Sequence, residues 1–135
     1  MTLWLSGMLM TADRLNDYSL DDETTSGFVI GSGFSLNNFW ANRSRSTVEM
    51  NIYVNRTGGT ISPTTGNLSP DVAVGTAPAG WRPNSASTLN GTWDDGTAVG
   101  GWVIGTDGVA TLRTSSSDIT NGRNLRLHIV FNKEP

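Results

Sequence analysis

Hydrophobic and polar residues alternate along two long stretches of the chain, and this alternation predicts β-strands. The clearest strand covers residues 47–57 and places four apolar side chains on one face: Val48, Met50, Ile52 and Val54. Its other face carries Glu49, Asn51, Tyr53 and Asn55. The last strand, residues 124–131, repeats the pattern with Leu125, Leu127, Ile129 and Phe131. A period of two with one apolar face is typical of a strand that buries one side.

Turn sequences separate further strands. Asp94-Asp95-Gly96 follows a predicted strand over residues 87–93, and Thr106-Asp107-Gly108 joins the predicted strands 98–104 and 109–114. Asp-Gly pairs between alternating runs indicate β-hairpins. With roughly seven to nine short strands at regular spacing, the sequence predicts an all-β fold, a jelly-roll-like antiparallel β-sandwich.

Glycine and proline modify this pattern in two places. Phe28, Ile30 and Phe34 fall in a Gly-rich strand pair, with a bulge expected near Gly31 or Gly33. Residues 61–83 are punctuated by proline, which cannot donate to a central ladder. We therefore assign the apolar residues of that region to short edge strands or loop packing: Ile61, Leu68, Val72 and Val74.

The first 20 residues differ from the rest in opening with an apolar stretch, and residues 1–12 carry no charged side chain. Thr11 is a candidate N-cap for a short helix that ends near Asn16, and residues 21–26 indicate a solvated acidic linker. We therefore divide the chain into an N-terminal docking arm with its linker, residues 1–26, and a β-sandwich domain, residues 27–135. Four apolar side chains are the expected anchors of the arm on a larger object: Trp4, Leu5, Leu9 and Leu15.

The apolar segment of the arm does not predict a signal peptide or a membrane span. Residues 3–10 lack a basic flank, and the segment is too short and too interrupted by glycine to cross a bilayer. Neither secretion nor membrane insertion is expected.

Composition and charge narrow the functional classes. The chain has 135 residues, a net charge of −3 and no cysteine, and charged residues make up only 16% of it. Its polarity comes from 14 Ser, 17 Thr and 12 Asn. An acidic balance with scattered Arg argues against nucleic acid as a partner, because phosphate binding needs a basic footprint.

Candidate chemistry is sparse, so we predict no catalytic, cofactor or metal site. The sole histidine, His128, lies on the polar face of the last strand with no local partner that suggests catalysis, and a surface or interface position is expected. Asp94, Asp95 and Asp107 could ligate Ca²⁺, but turn chemistry accounts for all three. A hydrolase is the weakest interpretation, because no nucleophile and base are paired in the sequence.

Tryptophan is the other candidate binding residue. Trp40, Trp81, Trp93 and Trp102 would stack on sugars if they were exposed, although tryptophan in small β-domains is more often in a core or an interface. We select three residues as possible contacts to a ligand or to another subunit of a trimer: Trp81, Arg82 and Trp93.

Two stretches resemble structural proteins of tailed bacteriophages. The opening Trp4-x-x-Gly7-x-x-x-Thr11-Ala12-x-x-Leu15-Asn16 resembles the start of many tail-fibre and virion proteins. Ala77-Pro78-Ala79-Gly80-Trp81-Arg82-Pro83 resembles a loop of phage receptor-binding and fibre-tip β-domains, where a strand, an Asp-Gly turn and another strand follow, as they do over residues 103–112. The resemblance implies a jelly-roll or related β-sandwich, trimeric and displayed on a virion.

The sequence therefore predicts a non-enzymatic virion structural protein. Because the linker between arm and domain is short, the first choice is a trimeric capsid decoration or minor capsid protein. It would be assembled in the host cytoplasm, exposed on the virion surface and docked on the major capsid protein through residues 1–20. The alternatives are a tail-tip or tail-fibre-type host-recognition protein docked on tail proteins, and a module that binds glycans of the bacterial surface.

Overall fold

The computed structural model describes residues 21–84 and 87–133 of the chain. The secondary structure of these residues is made of nine β-strands, which we number in chain order. Their bounds are β1 Asp21–Thr24, β2 Val29–Ile30, β3 Phe34–Ser44, β4 Thr47–Arg56, β5 Asn67–Thr76, β6 Leu89–Asp94, β7 Val99–Ile104, β8 Val109–Thr114 and β9 Asn124–Asn132. No helix long and apolar enough to cross a membrane occurs among these residues.

All nine strands belong to one antiparallel sheet, with the order β1-β3-β4-β9-β6-β7-β8-β5-β2. The sheet curls around its core, and Phe28, next to β2 at one end, stacks on Phe39 of β3 near the other end, with ring centroids 5.3 Å apart. Side chains from both halves of the sheet share one buried cluster. The predicted all-β class and the antiparallel sandwich are therefore confirmed.

The two strongest strand predictions are confirmed in extent and in the face that each strand buries, and the structure adds their register. The alternate apolar residues of β4 and of β9 are all buried, and β4 pairs with β9 from Thr47↔Asn132 to Asn55↔Asn124. Because both strands bury the same face, their intervening side chains form one continuous outward surface.

The predicted linker is wrong for its first four residues. β1 pairs with β3 from Asp21↔Ser44 to Thr24↔Ala41, so these residues belong to the sheet. The acidic composition of this segment fits an edge strand, because charged side chains on an edge discourage pairing with other chains.

The predicted Gly-rich strand pair is also wrong. β2 pairs with β5, whereas β3 pairs with β1 and β4, and Gly31-Ser32-Gly33 only connects them. The bulge of β3 lies instead between Leu36 and Asn38 in its pairing with β4.

The proline-rich region contains a longer and more central strand than the sequence predicted. β5 lies between β8 and β2, with Leu68 and Val74 buried. Pro70 is exposed and falls where the pairing with β8 is interrupted between Asn67 and Val72, so the missing N–H of proline costs no ladder bond there.

Candidate functional site

Tyr53 lies at the centre of a polar surface on the outward side of β3, β4 and β9. Its cross-strand neighbours are Asn38 on β3 and Arg126 on β9. A depression of about 310 Å³ opens here, and its outward lining residues are Asn38, Asn51, Tyr53 and Arg126. Its volume is at the lower end of the range for small-molecule sites. We call the outward residues Asn38, Trp40, Asn51, Tyr53, Arg126 and His128 the Tyr53 face.

Arg126 covers the ring of Tyr53 and has no anionic partner among the described residues. Its guanidinium carbon lies 4.2 Å from the ring centroid, a cation–π distance. The cross-strand neighbour of Arg126 on β6 is Asp94, but Asp94 Oδ1 accepts a hydrogen bond from the N–H of Gly96 at 2.5 Å. No described carboxylate lies within 4 Å of Arg126. Its N–H groups are therefore available to bind a ligand or water.

Asparagine side chains border the Tyr53 face at one end of the strands. Asn37, at the bulge of β3, reaches across the end of β4, and its Nδ2 donates to Asn124 Oδ1 at 3.0 Å. Asn55 Nδ2 donates to the same oxygen at 2.9 Å. These bonds fix the orientation of the amides, which makes them preorganised donors and acceptors for hydroxyl groups.

His128 and Trp40 extend the Tyr53 face toward the other end of the strands. Trp40 and His128 are the cross-strand neighbours of Asn51 on its two sides. His128 Nε2 lies 3.2 Å from Glu49 Oε2, and both side chains are about half exposed. The predicted surface position of the sole histidine is confirmed.

The structure removes Trp93 from the candidate ligand contacts. Its side chain is 1% exposed, and its Nε1 donates to the carbonyl oxygen of Thr114 at 3.0 Å. Trp102 is likewise buried in the core. Both indoles point inward because their positions share the parity of the buried residues on β6 and β7.

Trp81 and Arg82 belong to a loop that is tied down by its own backbone. Trp81 is half-buried against the core, and its backbone N–H donates to the carbonyl oxygen of Pro78 at 3.2 Å. Arg82 Nε donates to Ala77 O at 2.8 Å. Lys133 Nζ then donates to Arg82 O at 2.6 Å. These contacts give Arg82 a structural role, and the structure does not bring it to the Tyr53 face.

Lys133 is partly buried within this arrangement. Burial lowers the pKa of the Lys133 ammonium below its usual value, and the nearby positive charge of Arg43 lowers it further. The amine compensates by donating to Arg82 O and to Asn84 Oδ1 at 3.0 Å. The contact links the end of β9 to the 77–83 loop.

The aspartates that could have ligated calcium accept backbone hydrogen bonds within turns. Asp95 Oδ1 accepts from the N–H groups of Thr97 at 2.9 Å and Ala98 at 2.5 Å. Asp107 Oδ1 accepts from the N–H of Val109 at 3.1 Å. Within residues 21–84 and 87–133, no three His, Asp or Glu side chains are grouped to hold a metal ion.

The predicted docking anchors Trp4, Leu5, Leu9 and Leu15, and the short helix predicted from Thr11, lie outside the described residues. The residues of the Tyr53 face were not selected as a site from the sequence. The sequence feature that marks them is the polar side of the two alternating strands. Asn51 and Tyr53 alternate with core residues on β4, and Arg126 and His128 do so on β9.

No protein-family model matches the chain, and no curated protein matches it. The fold is similar to the crystal structure of the head domain of the lactococcal phage bIL170, reported among receptor-binding domains of lactococcal phages. The TM-score is 0.57 at 15% sequence identity, and the match covers 83% of this chain and 99% of that domain. The resemblance to phage receptor-binding β-domains is therefore confirmed at the level of the fold.

Proposed function

We propose that this protein is a virion surface protein of a tailed bacteriophage that recognises carbohydrate on the host bacterium. The observation that carries the proposal is the Tyr53 face, where one aromatic ring is surrounded by asparagine amides and one unpaired arginine. Among the alternatives from the sequence, a host-recognition protein fits this face better than a decoration protein, which needs no polar depression of this kind.

The chemistry of the face matches that of a sugar. A pyranose presents an apolar C–H surface, which would pack on the part of the Tyr53 ring that Arg126 does not cover, and a rim of hydroxyl groups that both donate and accept hydrogen bonds. Asn38 and Asn51 flank Tyr53, and each amide supplies both hydrogen-bonding roles. The guanidinium of Arg126 adds donors in a fixed planar arrangement.

The likeness to a phage receptor-binding head domain supports the same proposal through the fold. The virion context adds a physical reason why a shallow site is sufficient. Several copies on one particle bind one bacterial surface together, so weak contacts combine into strong attachment. We further propose that the protein forms a trimer, which supplies such copies. The trimer is docked on the tail or on the capsid through residues 1–20.

The proposal is tested by binding of the purified, fluorescently labelled protein to a panel of bacterial strains, and to their purified surface polysaccharides. We expect Tyr53→Ala and Arg126→Ala each to weaken binding by about tenfold or more. Arg45→Ala is the matched control, because it removes the same charge from the β3–β4 turn, about 20 Å along the strands from Tyr53. Binding that survives both Tyr53→Ala and Arg126→Ala would exclude the Tyr53 face as the recognition site.

A further inference from the structure

A second depression opens on the same outward side of the sheet, at β6, β7 and β8. It measures about 340 Å³, and Asn90, Gly101, Trp102, Arg113 and Thr114 line it. Gly101 is the outward residue of β7 at this point, and without a side chain it leaves a gap between its neighbours. Its N–H donates to Thr114 Oγ1 at 2.7 Å, which holds the rim of the depression in place.

A single row of cross-strand neighbours connects the two depressions. Asn51 of the first depression is paired with His128, His128 with Thr92, and Thr92 with Gly101 of the second. Neighbouring strands lie about 4.8 Å apart, so β4 and β7 are about 14 Å apart. His128 and Thr92, which lie between the depressions, are both exposed and polar. The row therefore offers an uninterrupted hydrogen-bonding path that is longer than one sugar ring.

The far end of the row carries a second arginine. Arg113 Nε lies 3.2 Å from Asp71 Oδ2, and both side chains are about half exposed. The carboxylate orients the guanidinium without burying it, so the remaining N–H groups of Arg113 stay accessible beside Gly101. The second depression thus has the same kind of donors as the first.

We propose that the sheet binds an internal stretch of a linear polysaccharide, which runs across the strands from Tyr53 to Gly101, rather than a single terminal sugar. This inference rests on the proposed function and specifies its ligand as an extended chain. Asn51, His128 and Thr92 would contact successive sugars along the path, and the gap at Gly101 would accept the last of them.

The test uses fragments of graded length. Surface polysaccharide is purified from a strain to which the protein binds and is cut by partial acid hydrolysis into fragments of one to six sugars. Titration calorimetry of the full chain should show affinity that rises about tenfold or more between one sugar and four, and then levels off. In Gly101→Gln, whose side chain fills the gap, this rise should disappear.

Val99→Gln is the matched control, because Val99 is an exposed outward residue of the same strand, 53% accessible, and does not line the depression. Arg113→Ala is the second variant if Gly101→Gln proves unstable in thermal unfolding. Equal affinity for one sugar and for six, or a rise that persists in both site variants, would overturn the extended path while the Tyr53 site stands. If the wild-type protein binds neither fragments nor intact polysaccharide, the proposed function itself fails.

Discussion

Trp93 and Gly100 are cross-strand partners on β6 and β7, and the indole of Trp93 occupies the space that a side chain on Gly100 would need. A Cβ on Gly100 would lie 2.6 Å from Trp93 Nε1 and would collide with the carbonyl oxygen of Thr114. The next pair, Gly91 and Trp102, repeats the relationship in the opposite direction, with a Cβ on Gly91 only 2.5 Å from Trp102 Nε1. Two glycines thus allow two large rings to donate hydrogen bonds to backbone carbonyls inside the core.

Gly100→Ala should destabilise the protein by about 2–3 kcal/mol, because either the indole or β8 must move to admit the methyl group. Urea unfolding followed by tryptophan fluorescence measures the loss. Gly101→Ala is the control, since its Cβ would lie 3.3 Å from Thr114 Oγ1 and 3.8 Å from Gly91 O, with no closer contact. Equal stability of the two variants would contradict the proposed packing.

Asp95→Ala should lower the free energy of unfolding by about 1–3 kcal/mol at pH 7, because it leaves backbone N–H groups of the turn without their acceptor. Burial opposes ionisation of Asp95, but hydrogen bonds from Ala98 and Thr97 and the charge of Arg123 outweigh it and lower its pKa. The unfolded value is about 3.9, so this stabilisation is complete above about pH 4 and is lost as the pH falls through the lower folded value.

The difference between wild type and Asp95→Ala should therefore shrink when urea unfolding is repeated below about pH 3. Asp118→Ala, which changes an exposed carboxylate, should behave like the wild type at both pH values. A difference that is the same at both pH values would show that ionisation of Asp95 does not contribute.

Arg82→Ala should destabilise the 77–83 loop without changing recognition. The side chain of Arg82 donates to Ala77 O and packs against the backbone at Gly108, where a Cβ would lie 2.8 Å from Arg82 Cδ. We expect a loss of about 1–2 kcal/mol in unfolding and unchanged binding to bacteria at 20 °C or below. Loss of binding in a folded Arg82→Ala variant would show that Arg82 belongs to the recognition site, as the sequence analysis suggested.

Deletion of residues 1–20 should abolish attachment to phage particles and leave the sheet intact, because it retains all nine described strands, from Asp21 onward. Sedimentation with virions stripped of this protein measures attachment, and circular dichroism measures folding. Trp4→Ala combined with Leu9→Ala is the narrower variant. Particle binding by the deleted chain would reject the docking arm.

Light scattering should give a mass three times that of the 14.4 kDa chain. A trimer is expected because three weak sites gain avidity that one site lacks. A stable monomer at micromolar concentration would remove this argument and would leave the Tyr53 face to act alone.

The sequence predicted those elements in which local pattern and burial agree. β4 and β9 alternate strictly, and β8 was predicted with both of its ends. β1 could not be predicted, because Asp21–Thr24 has no apolar face and is a strand only through its pairing with β3. β5 was underestimated because Pro70 falls opposite a gap in the ladder, which is a property of register and not of composition.

The candidate site was harder to predict than the fold. Large aromatic residues drew attention to Trp81 and Trp93, but the structure buries Trp93 and packs Trp81 against the core. Tyr53 and Arg126 are separated by more than 70 residues, and only the register of β4 against β9 makes them neighbours. A site assembled across strands has no contiguous motif in the sequence. Its residues could be recognised only as the polar positions that alternate with core residues on β4 and β9.

The strict alternation of β4 and β9 separates the residues that hold the fold from those of the proposed recognition face. Every second residue of these strands is buried, whereas the positions between them are half-buried on β4 and exposed on β9. Substitutions at the exposed positions should change stability by only about 0.5 kcal/mol. Such a surface can accumulate changes at Asn51, Tyr53, Arg126 or His128 while the core stays untouched. Under the proposed function, single mutations on this face would change the host range of the phage without a prior gain in stability of the scaffold.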